Sequence, residues 1–308
     1  MRGASITRII TYLVFSAVAL PSSAMPTHRL EARLHKIASD RRAITGIAVI
    51  INGEDTLVVN NDIRYPMMSV FKFHQALAVA DCLYKKGLPL STAIHISEEE
   101  LRENTHSPLR DAYPKGKTDI TIEELLVYTL QYSDNNACDI LFGHVIGTEA
   151  TDRYIRSLEL TDFAISANEN DMHTDLRTCY DNWTTPLAAA ELLEIFATRP
   201  ILDDEYRSFI TETMTGCDTG TDRLAKPLLD TKAIIGHKTG TGDRNGKGQI
   251  IGLNDIGFVI LPDGQRYTIA VFVRDSAGSY RKTTRIIAYI SKAVYGYVTG
   301  LAKGHDIR

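Results

Sequence analysis

Apolar residues along the chain follow two rhythms. From Thr27 to Arg42, Leu30, Leu34 and Ile37 recur every three or four residues, the spacing of an amphipathic helix. An unbroken apolar run, Ile47–Ile51, comes next, followed by the turn pair Asn52-Gly53 and by Leu57–Val59, which together predict a β-hairpin. From about Ser69 to Thr215 the helical rhythm dominates. Thr121 and Glu124 form a T-x-x-E capping box ahead of Leu125, Leu126 and Leu130. A further helix is expected from Pro186 to Ala197, with proline at an early position. Strand character returns where Phe258–Leu261 and Tyr267–Val273 flank Pro262-Asp263-Gly264, and Thr283–Val298 predicts a closing helix.

The order of these elements implies an α/β plus all-α architecture: an antiparallel sheet flanked by helices, with an inserted helical lobe. Residues 25–66 and 216–308 are expected to form the α/β lobe and residues 67–215 the insertion. A crevice between the two is the natural place for a ligand. No internal repeat, low-complexity segment or Pro/Ser-rich linker interrupts the pattern.

The first 24 residues read as an export signal. Arg2 and Arg8 precede an apolar stretch, Ile9–Leu20, and the small residues Ser22-Ser23-Ala24. That stretch is short for a bilayer span, and no cysteine lies near the cut to carry a lipid. A periplasmic or secreted protein is therefore expected, without stable membrane association after cleavage; the alternative is an uncleaved anchor. Losing two arginines takes the formal charge from −4 to about −6. A mildly acidic chain without a long basic run gives no support for nucleic-acid binding, and a monomer is expected. Cys82, Cys138, Cys179 and Cys217 form no C-x-x-C and have no neighbouring histidine pair, so no metal and no cofactor is expected. Buried free thiols and one structural disulfide both remain open.

Three motifs carry the chemistry: Ser69-Val70-Phe71-Lys72, Ser133-Asp134-Asn135 and Lys238-Thr239-Gly240. A serine hydroxyl is a weak nucleophile until a base takes its proton. On a helix, residues three apart share a face, so Lys72 can reach Ser69. At a helix start, free N–H groups add positive potential where negative charge develops. A second S-x-x-K, Ser279 to Lys282, follows the other motifs and reads as a surface helix. Ser133-Asp134-Asn135 falls in a turn, where Ser133 can pass a proton to a leaving nitrogen and the Asn135 amide can hold a carbonyl. Asp134 is a candidate Asx cap for the next helix. Lys238 to Gly242 follows a strand start at Ala233–Gly236. On an edge strand, Lys238 and Thr239 can bind a carboxylate, Gly240 permits close approach, and the N–H of Thr241 can pair with that of Ser69 as an oxyanion hole. A phosphate loop around Gly242–Lys247 is excluded: it is one residue short, and Gly248 stands where Ser or Thr is required.

Together these motifs resemble the penicillin-recognising serine enzymes, and the chain is similar to class A serine β-lactamases over nearly its whole mature length. The resemblance implies a β-lactamase/penicillin-binding transpeptidase-like fold. It also implies hydrolysis of penicillins and cephalosporins through an acyl-enzyme on Ser69. Glu169, 36 residues after Ser133, stands where the family places the glutamate that activates the deacylating water. His173 replaces the usual asparagine four residues later, Asn170 replaces a proline, and His106 stands where a gatekeeping tyrosine is common. Arg223 matches an alternative position for the carboxylate-binding arginine, used in a divergent branch that includes cephalosporinases and extended-spectrum enzymes; a surface cation is its bland alternative. A D-alanyl-D-alanine peptidase with the same nucleophile, and a non-catalytic β-lactam sensor, are the competing expectations. No H-x-H-x-D or H-E-x-x-H motif supports a metallo-β-lactamase.

Overall fold

A computed structural model describes residues 27–116 and 118–301; the expected export signal lies outside them. The chain opens with α1 (Thr27–Ala38), then the hairpin β1 (Ile44–Ile51) and β2 (Asp55–Val59). α1 ends four residues short of the expected Arg42, because Asp40 and Arg42 close a tight ion-paired turn at 2.6 Å. Asn52 and Gly53 both have positive φ, the twist a short hairpin turn needs.

The middle of the chain runs through β3 (Tyr65–Pro66), α2 (Phe71–Lys86), β4 (Ala93–Ile96), α3 (Pro108–Ala112), β5 (Thr118–Thr121), α4 (Ile122–Leu130), α5 (Asn135–His144) and α6 (Thr148–Ser157). It continues through β6 (Phe163–Ala164), α7 (Glu169–Thr174), β7 (Trp183–Thr184), α8 (Pro186–Thr198) and α9 (Asp204–Thr215). The expected helices start as their caps dictate. Thr121 accepts from Glu124 N ahead of α4, and Thr185 accepts from Ala188 N ahead of α8. The short strands in this region pair as β3-β7-β6 and β4-β5.

The chain closes with β8 (Ile234–Thr241), β9 (Ile250–Ile260), β10 (Arg266–Ser276) and α10 (Tyr280–Val298). Ser279 is the N-cap of α10 and accepts from Lys282 N, so the second S-x-x-K motif is a capping device. The five long strands form one antiparallel sheet in the order β2-β1-β10-β9-β8, with β8 at an edge.

The apolar run in β1 is continuous because both faces of the strand are covered. Ile47, Val49 and Ile51 pack with Leu30 and Leu34 of α1 and with Ile287, Ile290 and Val294 of α10. Ala48 and Ile50 pack in a second cluster with Tyr65, Phe73, Leu193 and Phe272. Side chains alternate across the sheet, so period two decides which cluster each joins. Each fully buried Leu or Ile contributes about 1.5–3 kcal/mol. Among the described residues no helix is long and apolar enough to cross a membrane.

Candidate active site

Ser69 sits in a 3-10 turn, Met68–Val70, that runs directly into α2. Met68 has φ +48°, a left-handed conformation costly for a residue with a side chain. Three contacts hold the turn. Asn182 O accepts from Met67 N at 2.8 Å, and Asn254 Nδ2, reaching from β9, donates to Pro66 O at 2.8 Å and Met67 O at 3.0 Å. From β8, Gly240 comes so close that a Cβ would stand 2.5 Å from Met67 O.

Lys72 lies on the first turn of α2, fully buried. Its Nζ donates to Ser69 Oγ at 3.2 Å, Ser133 O at 2.8 Å and Asn135 Oδ1 at 2.7 Å, and pairs with Glu169 Oε1 at 2.8 Å. Ser69 Oγ in turn donates to Glu169 Oε1 at 3.2 Å. The hydroxyl, the ammonium and the carboxylate therefore form one closed set, although 100 residues separate Ser69 from Glu169.

Ser133 has φ +60°, and its motif is clamped from the side. Asp134 caps α5 through Ala137 N, and its carboxylate also accepts from Ser107 Oγ and Leu109 N. His106 O accepts from Asn135 N at 3.0 Å, and the exposed His106 ring meets Tyr132 O at 2.9 Å. Asn135 Nδ2 donates to Thr105 Oγ1 at 2.7 Å, so both ends of that amide are engaged.

Lys238 is fully buried on β8 and donates to Ser133 Oγ at 2.8 Å and Thr239 O at 3.0 Å. Burial, followed by the charge of Lys72, lowers its pKa to about 7. Lys238 reaches Ser133, and Gly240 lies against the Ser69 turn. Thr239 Oγ1 lies 2.6 Å from Thr219 Oγ1. Arg223 is buried, not a surface cation: its guanidinium donates to Gly240 O at 3.0 Å, Asn254 O at 2.8 Å and Thr241 Oγ1. It backs the strand and reaches the rim of the site only at Thr241.

Glu169 opens α7, and Asp139 holds that end by accepting Glu169 N at 2.9 Å and Asn170 N at 3.0 Å. Burial, then the charge of Glu169, raises the pKa of Asp139 to about 6, against the pull of those N–H groups and Arg102. Asn182 fastens the preceding residues, accepting Ser166 N and Ala167 N and donating to Ala167 O. A cavity of about 210 Å³ opens beside Glu169, walled by Thr105, Asn135, Asp139, Asn170 and His173 among others. A larger groove of about 900 Å³ lies elsewhere, between α1 and α10, with basic walls and none of the motif residues.

All eleven expected site residues lie in this region: Ser69, Lys72, Ser133, Asn135, Glu169, Lys238 and Gly240 around the central cluster, with His106, Thr239, Thr241 and Arg223 at its margins. Sequence reasoning missed Asp139, Asn182 and Asn254, which bond to backbone groups far along the chain. The only available signal was the pair Asn254-Asp255 inside an otherwise apolar strand. The four cysteines are free thiols. Among the described residues no cluster of His, Cys, Asp and Glu suits a metal ion.

The profile of the β-lactamase enzyme family matches residues 29–298. A β-lactamase of Phocaeicola vulgatus is 40% identical over 291 residues, 93% of this chain and 91% of that protein. Among solved structures, the TLA-3 extended-spectrum β-lactamase superposes with a TM-score of 0.86 at 39% identity, covering 89% of this chain and 99% of that one. A class A β-lactamase from Bacteroides cellulosilyticus gives 0.85 at 41% identity, covering 90% and 99%.

Proposed function

The chain belongs to the β-lactamase enzyme family, as a class A serine β-lactamase, and from that membership we propose that it hydrolyses penicillins and cephalosporins through an acyl-enzyme on Ser69. The observation that carries this reading is the closed set of Ser69, Lys72 and Glu169, with contacts of 2.8–3.2 Å. We infer strong activity on cephalosporins from the likeness to an extended-spectrum enzyme and from the position of Arg223.

In the proposed mechanism Ser69 Oγ attacks the lactam carbonyl. Its proton is directed at Glu169 while Lys72 donates to the same oxygen, so the carboxylate is the acceptor this ground-state arrangement favours. The backbone N–H groups of Ser69 and Thr241 receive the oxyanion. Ser133, held by Lys238 at 2.8 Å, gives its proton to the departing nitrogen and is resupplied from Lys238. The ring-opened product stays as an ester on Ser69. The proton that Glu169 took from Ser69 passes on through Lys72 to refill Lys238 and Ser133. The carboxylate is therefore free again when a water entering beside it loses a proton to it and attacks the ester; that proton then returns to Ser69 Oγ.

Lys238 and Thr239 receive the ligand carboxylate. Arg223 acts through Thr241, and Asn135 turns its amide from Thr105 toward the ligand's side-chain carbonyl. His106 borders the entrance. His173, exposed at the rim of the cavity beside Glu169, is the group nearest in sequence to where a water-holding asparagine is usual. Residues 67–215 form the lobe that carries Ser69, Ser133 and Glu169, and residues 25–66 with 216–308 carry the third motif. Export, with removal of residues 1–24, would place the enzyme in the periplasm or outside the cell, as a monomer. There it would meet β-lactams before they reach their targets and so confer resistance.

The test is a turnover panel of a penicillin, an early cephalosporin and an oxyimino-cephalosporin on the purified mature chain. Multiple turnovers with all three, fastest on the cephalosporins, are expected. Stoichiometric acylation without turnover would overturn the reading in favour of a peptidase or a sensor.

A further inference from the structure

Behind β8, on the face turned away from Lys238, lies a second polar cluster for which the proposed mechanism has no use. His237 is 3% exposed, and its Nδ1 meets both oxygens of the fully buried Asp255 at 3.0 and 3.1 Å. The imidazole also lies beside the thiol of Cys217, which follows α9 and donates to Thr219 O at 3.7 Å. Cys217 is partly exposed, unlike Cys138 and Cys179. Its Sγ lies 3.4 Å from Thr219 Oγ1, and that oxygen lies 2.6 Å from Thr239 Oγ1. A thiol, an imidazole and a carboxylate thus stand in series, and a two-hydroxyl relay joins the sulfur to the third motif.

We propose that Cys217, held beside the His237–Asp255 pair, is a thiol-exchange site whose modification by a small disulfide weakens substrate binding through Thr219 and Thr239. The electrostatics agree with the geometry. Burial opposes charge on both partners, yet the Asp255 carboxylate and then the sulfur raise His237 to about 10. For Cys217, the hydrogen bond and charge of His237 overcome burial and bring the thiol below its usual value, with Lys238 adding to the effect. Arg223 and Asp222 complete the charges around this group. Burial raises Cys138 and Cys179 instead. Only the thiolate is the nucleophile in exchange.

The step balances without another reactant. The Cys217 thiolate attacks one sulfur of the disulfide and a new S–S bond forms. The old one breaks, and its other half leaves as a thiolate carrying the electron pair. Cys217 Sγ is the acceptor at the end of a chain in which Thr239 donates to Thr219 and Thr219 donates to sulfur. A mixed disulfide removes that acceptor and pushes Thr219 aside, which frees the Thr239 hydroxyl from its fixed orientation beside Lys238.

The experiment treats the folded mature chain with substoichiometric dithiodipyridine at pH 7, follows release of the thione, and maps the labelled peptide by mass. Cys217 is expected to react about tenfold or more faster than the partly exposed Cys82, with Cys138 and Cys179 labelled only after denaturation. Cys217→Ser should abolish the fast phase and keep turnover, and His237→Gln should slow the fast phase about tenfold. Labelling of Cys82 first, or a fast phase that survives Cys217→Ser, would overturn the proposal; an unchanged rate in His237→Gln would remove the imidazole from it. The labelled enzyme should show a several-fold higher KM for a carboxylate-bearing β-lactam, reversed by dithiothreitol; an unchanged KM would sever the link to Thr239. This last arm rests on the proposed function. The labelling order does not, because an enzyme without β-lactam turnover would still release thione from Cys217.

Discussion

The two edges of the five-stranded sheet are built from opposite materials. At the β2-β1 edge the buried side chains are Ile47, Val49, Ile51, Leu57 and Val59. At the β8 edge they are His237, Lys238 and Thr239, with Arg223 and Asp255 behind them and Lys72 and Glu169 across the crevice. Aliphatic packing stabilises without direction, whereas buried charges lose hydration and hold only where each finds partners. The first edge therefore supplies stability and tolerates small changes. The second spends some of it to keep ions poised in one geometry, as reactive sites commonly do.

Substitutions should separate the two edges. The largest effect is expected for Ser69→Ala, which should lower kcat by about 10⁴-fold or more while leaving the thermal midpoint nearly unchanged. Steady-state kinetics beside a melting curve would check it; a large loss of stability would mean that the chemical edge also carries the fold.

Leu34→Ala, under the opposite edge, should cost about 2–5 kcal/mol of unfolding free energy and leave kcat/KM per folded molecule unchanged. Urea unfolding with active-site titration would measure both. Ile47→Val should show the same pattern at about 0.5–1.5 kcal/mol.

A pH series sharpens the contrast further, because Lys238 is held down to about 7. Above that value the free enzyme's amine is neutral, so kcat/KM for a carboxylate-bearing substrate should fall about tenfold per pH unit. Stability should move the other way. The unfolded chain binds the proton up to the ordinary lysine value of 10.5, so the cost of the buried charge is relieved as pH rises from about 7 toward 10.5. Lys238→Met should flatten that increment in an unfolding-versus-pH series; a stability profile identical to that of the wild type would contradict the shift.

The same contrast explains what could be read in advance. The apolar edge was legible because periodicity is a local signal: Leu30, Leu34 and Ile37 marked α1, and the run Ile47–Ile51 marked a strand covered on both faces. Strand β9 was recognised only at its end, Phe258–Leu261, because Asn254 and Asp255 break its apolar pattern. Those two side chains hold the Ser69 turn and His237. At the chemical edge, Ser69 and Lys72 were legible by helical spacing. Glu169 was not, since nothing local distinguishes it from a solvated glutamate, and resemblance alone singled it out. Asp139 and Asn182 left no trace in the sequence because their partners are backbone N–H and C=O groups 15 to 31 residues away.

The most direct test of the Ser69–Lys72–Glu169 arrangement is intact-mass spectrometry of Glu169→Gln mixed with a cephalosporin. Lys72 still stands 3.2 Å from Ser69 Oγ to take its proton, so the variant should acylate more slowly. Without a carboxylate to activate water it should hold the ester, giving a persistent adduct while product release falls about 10²–10⁴-fold. Rapid turnover with no accumulated adduct would contradict the account.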